Sequence, residues 1–158
     1  MMTEKISSLA TYAVLISLWT GCALLGGVKA AENKAGGVSM RVLWTVSGYV
    51  VGKASAMDEQ GAKALLFKPL DIRENEIIFD NKACRGVIFQ RETVNTAQYL
   101  DAVWQVTPQT LGIEGQKIEV IKTNCDIPGF QEYMRLSDGR LIVPIKGVFF
   151  FFEQAVAY

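Results

Sequence analysis

The spacing of apolar positions changes period several times along the chain. Met40, Val42, Trp44, Val46 and Val50 fall on one side of an extended segment, with Arg41, Thr45, Ser47 and Tyr49 on the other. This period of two predicts a long, half-buried strand, and Gly48 marks a bend or bulge inside it. The stretch "SAMDEQGAKALLFKP" changes character: Ser55 suits an N-cap, Asp58 and Glu59 stand near the positive helix end, and Pro69 stops the segment. A short helix over 56–66 is predicted, weakened by Gly61.

Alternation returns in "LDIRENEIIFDNKACRGVIFQRE", with one turn at Glu74 and Asn75 and another over 81–86, which puts Cys84 at a strand end. Asn95 can cap "TAQYLDAVWQ", where Tyr99 with Val103 and Leu100 with Trp104 stand at helical spacing, although the same residues also read as a strand. In "TPQTLG", Thr107 caps, Pro108 suits the first helical position and Gly112 stops a single turn. "KIEVIKTNC" is a strand, "IPGF" is a type II turn, "EYMRLSDGRLIVPIK" is a hairpin around Asp138 and Gly139, and "GVFFFFEQ" is the last strand. About eight antiparallel strands with one or two short helices close most naturally into a small barrel, so the expected class is mainly β. No repeat of 20–50 residues is present.

With 158 residues, the chain has room for one domain with a proper core. Lys+Arg and Asp+Glu balance at 16 each and are interspersed. A partner bound through a phosphate backbone would call for a basic stripe, so nucleic acid is not an expected partner.

The N-terminus has the layout of an export signal. Lys5 precedes an uncharged apolar stretch over 6–28, and Val28 and Ala30 fit the small positions before a cut. The expected organisation is a signal peptide over 1–30, a flexible lead-in over 31–39 and one barrel domain over 40–158, in an exported, periplasmic protein. Two other outcomes stay open. Thr20, Gly21 and Cys22 resemble a bacterial lipobox, with Trp19 where an aliphatic residue is usual, which would make Cys22 a lipidation site on a membrane-anchored lipoprotein. The same stretch is also long enough to remain as a helical anchor. The membrane enters only through these segments.

Either processed form removes Cys22 from the thiol pool and leaves Cys84 and Cys125. In an oxidising compartment a disulfide between them is expected; two buried thiols or a redox pair are the alternatives. The chain contains no histidine, which excludes Ser-His-Asp and Cys-His nucleophile systems and histidine zinc sites. No phosphate loop or dinucleotide fingerprint is present, and "DIRENE" and "DNK" lack the register of a calcium loop. Glu74, Glu76 and Asp80 lie close along a strand pair, and the simplest reading is a solvated face. No catalytic residue, metal site or cofactor is expected.

In "VFFFF", Phe149 and Phe151 point one way while Val148, Phe150 and Phe152 point the other. One set should fill the barrel. The other needs cover from the 56–66 helix or the 99–104 segment, from a partner, or from an apolar ligand, so Phe149, Phe150, Phe151 and Phe152 are candidates for a partner or ligand surface.

The segments "GYVVGKASAMDEQGAKALLFKPLDIRENEIIFDNKAC", "LGIEGQKIEVIKTNC" and "GRLIVPIKGVFFFFE" follow a recurring layout: first strand, short helix, strand pair ending in Cys, Leu-Gly turn before a strand ending in Cys, and closing hairpin with an aromatic last strand. Over most of 44–153 the chain thereby resembles small lipocalin-like (calycin-like) β-barrels of exported bacterial proteins. Trp44 precedes Gly48, the reverse of the lipocalin Gly-x-Trp order, and no functional residue is carried over. The expected function is a non-enzymatic exported binding domain whose target is another protein, such as a cell-envelope enzyme that it inhibits or gives immunity against. The alternatives are a carrier of a small apolar ligand and a lipid-anchored lipoprotein with the same barrel. The oligomeric state is open.

Overall fold

In the computed structural model, which describes residues 42–155, the alternating stretches pair into one nine-stranded antiparallel sheet. The expected signal segment, Cys22 and the lead-in lie outside the described residues. The strands are β1 (Leu43–Val51), β2 (Pro69–Ile72), β3 (Glu76–Phe79), β4 (Lys82–Arg85), β5 (Phe89–Asn95), β6 (Lys117–Thr123), β7 (Glu132–Arg135), β8 (Leu141–Ile145) and β9 (Val148–Ala155). Two short helices, α1 (Glu59–Lys63) and α2 (Thr96–Trp104), and a 3-10 turn at Gln109–Leu111 complete the described chain. Neighbours in the sheet run β4-β3-β2-β1-β9-β8-β7-β6-β5.

There is one strand more than the sequence pattern predicts, because the expected 81–86 turn is compressed into Asp80 and Asn81. Both take positive φ, 47° and 62°, a conformation short polar side chains tolerate in two-residue hairpin turns. Residues 82–85 are thereby free to pair as β4, with Phe79 opposite Lys82. The β8–β9 hairpin uses the same device at Lys146 and Gly147, with φ of 52° and 81°.

The bulge expected at Gly48 is present, and it corrects the face assignment of β1. Val46 pairs with Phe152 and Gly48 with Phe151, leaving Ser47 as the extra residue. Side-chain parity therefore reverses at that point. Tyr49, not Val50, shares the face of Val46, and its ring lies 6.0 Å from that of Phe150.

Helix α1 is shorter than the predicted 56–66 segment. Its cap is Asp58, whose Oδ1 accepts from Gly61 N at 2.7 Å, while Ser55 Oγ accepts from Met57 N one turn earlier. Helix α2 settles the ambiguity over 96–104: Asn95 Oδ1 accepts from Gln98 N at 3.1 Å, and the helix stops at Gln105 in the left-handed region.

The sheet is strongly curled into a half-barrel. Strands β3 and β7 are five neighbours apart, which on a flat sheet would separate them by about 24 Å. Yet Phe79 of β3 and Phe130, just before β7, meet with ring centroids 5.4 Å apart. Phe130 is delivered by the Ile127–Phe130 turn, closed by Phe130 N to Ile127 O at 3.0 Å. Gly129 takes φ 89° there, and a Cβ would come within 2.7 Å of the γ-carbons of Val143 and Ile145. Only glycine fits that position.

Curling produces two apolar clusters. The concave one gathers Val46, Leu70, Ile77, Phe79, Phe130, Tyr133, Val143, Phe150 and Phe152 among others. The convex one lies where α2 and the 3-10 turn cover β6 to β9, and it contains Leu100, Leu111, Ile118, Val120, Met134, Ile142 and Phe149.

Candidate functional site

The phenylalanine run of β9 is divided between these clusters. Phe150 and Phe152 are fully buried in the concave cluster, Phe149 is buried in the convex one, and Phe151 is half-buried beside it. Trp104 of α2 meets Phe149 edge-on at 5.6 Å. The 99–104 segment, rather than the 56–66 helix, supplies the cover that the second face of β9 requires.

The three carboxylates singled out from sequence do not converge on a cleft. Glu76 accepts from Arg73 at 2.8 Å and from Arg85 at 3.1 Å, Asp80 pairs with Lys68 at 2.9 Å, and Glu74 stands exposed in the β2–β3 turn. With arginine or lysine against Glu76 and Asp80, these groups bind β2, β3 and β4 together.

Cys84 and Cys125 form a disulfide with Cα atoms 5.6 Å apart. Its position carries structural meaning. Strand β4 is at one end of the sheet, and Cys125 follows β6, next to the other end. Asn124 adds two bonds across the same seam: its Oδ1 accepts from Ile88 N at 2.8 Å, and its Nδ2 donates to Gly86 O at 3.3 Å. Asp126 places Oδ1 3.2 Å from Cys84 Sγ. A disulfide sulfur carries no proton and is no thiolate, so Cys84, Cys125 and Asp126 form a staple and not a metal-ligand set.

Two open surface grooves, about 480 and 320 Å³, lie beside the Ser137 to Gly139 turn. Their charged walls are partly engaged, with Arg140 on Asp138 at 2.7 Å and Arg91 on Glu119 at 3.7 Å. A smaller cleft of about 210 Å³ has a different character. It opens at one end of the concave face between Met57, Leu65, Phe79, Ile127, Pro128 and Ile145, with Asp80, Lys82 and Lys146 on its rim. Asp80 is taken by Lys68. Among the described residues, Lys82 and Lys146 have no ion-pair partner, so the rim is net positive.

Next in the chain to Lys68 is Phe67, 76% exposed and at φ 63°. The conformation is held by Phe67 N donating to Val46 O at 2.9 Å and by Lys68 N donating to Leu65 O at 3.2 Å. A bulky residue in the left-handed region costs on the order of 1–2 kcal/mol. An aromatic ring held in water by a strained backbone contributes nothing to the core. The sequence reading passed over Phe67, Lys82 and Lys146. The available signal was the run Leu65, Leu66, Phe67 ahead of Pro69: three large apolar residues in succession cannot all face one core.

The buried Tyr133 and the half-buried Tyr99 have raised pKa values, each chiefly because desolvation disfavours the phenolate. Tyr99 also donates to Glu132 Oε1, which raises it further. Tyr133, inside the concave cluster, is pushed up to about 12. The folded state therefore holds this proton more tightly than the unfolded chain, whose tyrosines titrate near pH 10. The Tyr133 contribution is fully present below about pH 10 and is lost as the pH rises through about 12, on the order of 2–3 kcal/mol in all. Chemical denaturation at intervals from pH 9 to 12 is expected to show stability falling across that window, and Tyr133→Phe should flatten the fall.

Comparison of the chain with protein-family models, with curated proteins and with solved structures gives no match.

Proposed function

We propose that this chain is a non-enzymatic exported binding domain whose target is another protein, an enzyme of the cell envelope that it inhibits or gives immunity against. One observation carries the reading. The concave face, where a carrier would keep its ligand, is filled by the rings of Phe79, Phe130, Tyr133 and Phe152 at centroid distances of 5.4 to 6.3 Å. The apolar-walled cleft at the end of that face is about 210 Å³, below the range of roughly 300–1,000 Å³ that small-molecule sites occupy. It has the size of a single large side chain.

Three further points support it. The chain contains no histidine, the disulfide suits an oxidising compartment, and the apolar stretch over 6–28 has the layout of an export signal. At the level of fold the companion proposal is a closed, lipocalin-like barrel. It is supported by the contact between Phe79 and Phe130 and by the disulfide across the seam between β4 and the end of β6. A lipid on Cys22 would tether the same domain to a membrane.

The test uses the full chain with a C-terminal tag, expressed in cells with an envelope, fractionated and cross-linked before extraction. The expected result is a one-to-one complex with a single envelope enzyme whose activity falls as purified chain is added. A chain that stays in the cytoplasm, or elutes alone from cross-linked envelope extracts, overturns the proposal.

A further inference from the structure

We infer that the cleft and Phe67 together form the docking surface, and that its occupant is an acidic protein segment that inserts one aliphatic or aromatic side chain into the cleft. The inference rests on the protein-binding reading and names the chemistry of the partner. The parts are complementary in kind: a hole walled by Met57, Leu65, Phe79, Ile127, Pro128 and Ile145, and an aromatic knob at Phe67. They are linked through Lys68, which follows Phe67 and pairs with Asp80 on the rim.

Charge selects the occupant. With Asp80 neutralised by Lys68, the rim offers Lys82 and Lys146, exposed and unpaired among the described residues. Lys146 sits at the tip of the β8–β9 turn, which is anchored by Ala56 N donating to Lys146 O at 2.9 Å. Carboxylates flanking an inserted apolar side chain would meet these ammonium groups as it desolvates in the cleft. Phe67, one residue before the lysine that pairs with the rim carboxylate, supplies exposed aromatic area, and aromatic side chains are enriched among those that dominate binding energy. Its strained backbone fits the pattern in which a conformation unfavourable to the fold is kept at a functional surface. A fatty carboxylate would use the same charges, but the cleft volume fits one side chain better than an acyl chain.

The probes are short acidic peptides with a central Leu or Phe, their central-Ala and lysine-flanked counterparts, and decanoate. Each is titrated into the full chain while the methyl signals of Met57, Leu65, Ile127 and Ile145 are followed by NMR. The acidic Leu or Phe peptides are expected to shift those methyls saturably, and the control peptides are not. The double variant K82E/K146E should abolish the shift.

Phe67→Ala should weaken binding by roughly tenfold or more. Phe67→Gly should weaken it as much while raising the melting temperature by about 4 °C, because glycine relieves the left-handed strain. A ring needed only for folding would give the opposite sign of stability change. If decanoate shifts the methyls and the peptides do not, or if nothing shifts them, the inference is overturned. If an envelope partner is captured but binds Phe67→Gly and K82E/K146E as tightly as the native chain, the surface is wrong while the protein-binding function stands. If the peptides bind as described but no envelope partner is captured, the function is wrong while the chemistry of the cleft stands.

Discussion

Replacing Cys84 and Cys125 together by alanine is expected to destabilise the domain by about 4 kcal/mol, the chain-entropy value for a closed loop of this length. The half-cystines are 41 residues apart. A loss of that size would lower the melting temperature by about 15 °C. The argument goes beyond loop entropy, because of what the bond joins. No strand ladder connects β4 to β5 among the described residues, although they follow one another in the chain and occupy the two ends of the sheet. The seam is held by the disulfide, by the two hydrogen bonds of Asn124, and by Val87 and the half-cystines in the concave cluster. Thermal unfolding with and without reductant gives the first readout, and alkylation should find these two thiols only after reduction. Hydrogen exchange gives the second: in the reduced protein the amides of Val87 and Ile88 should lose protection before those of β8 and β9. A melting temperature unchanged by reduction would show that ladders and core alone hold the curl.

The disulfide was legible because the expected export, with Cys22 set aside, leaves Cys84 and Cys125 as a pair, without any knowledge of which strands it would join. The long ladders were legible for a similar reason. In "KIEVIKT" and "VFFFF" the two-residue period of an unbulged strand holds throughout, so the faces of Phe149 to Phe152 could be read directly. What failed depended on single backbone conformations. Ser47 and Gly48 reverse parity inside β1, Asp80 and Asn81 turn the chain in two residues, and Asp58 displaces Ser55 as the cap of α1. Periodicity cannot register an extra residue until the partner strand is known. The candidate site was less legible still. It is built from Met57 and Leu65 on either side of α1, the Ile127 and Pro128 turn, and two hairpin tips, which meet only because the sheet curls. Lys82 and Lys146 are ordinary surface lysines in sequence. What sets them apart is that both stand on the rim of one cleft.

Phe130→Ala is expected to cost about 3–5 kcal/mol, the range for truncating a buried phenylalanine. Phe130 is fully buried and touches three rings at once: Phe79 at 5.4 Å, Tyr133 at 5.8 Å and Phe152 at 6.3 Å. Those rings belong to β3, β7 and β9, so their positions are fixed by ladders on both sides of the gap. Collapse onto the vacancy would require the hydrogen-bonded strands to shift, and the cost should lie toward the upper end. Phe151→Ala, truncating a half-buried ring on the convex side, should cost distinctly less in the same denaturation experiment. The variant also tests the carrier alternative directly. An apolar void of this kind binds small aromatic molecules, so benzene should raise the melting temperature of Phe130→Ala and leave that of the native chain unchanged. A native protein equally stabilised by benzene would mean that the concave face already holds room for an apolar ligand. The carrier reading would then displace the docking surface as the best account of this fold.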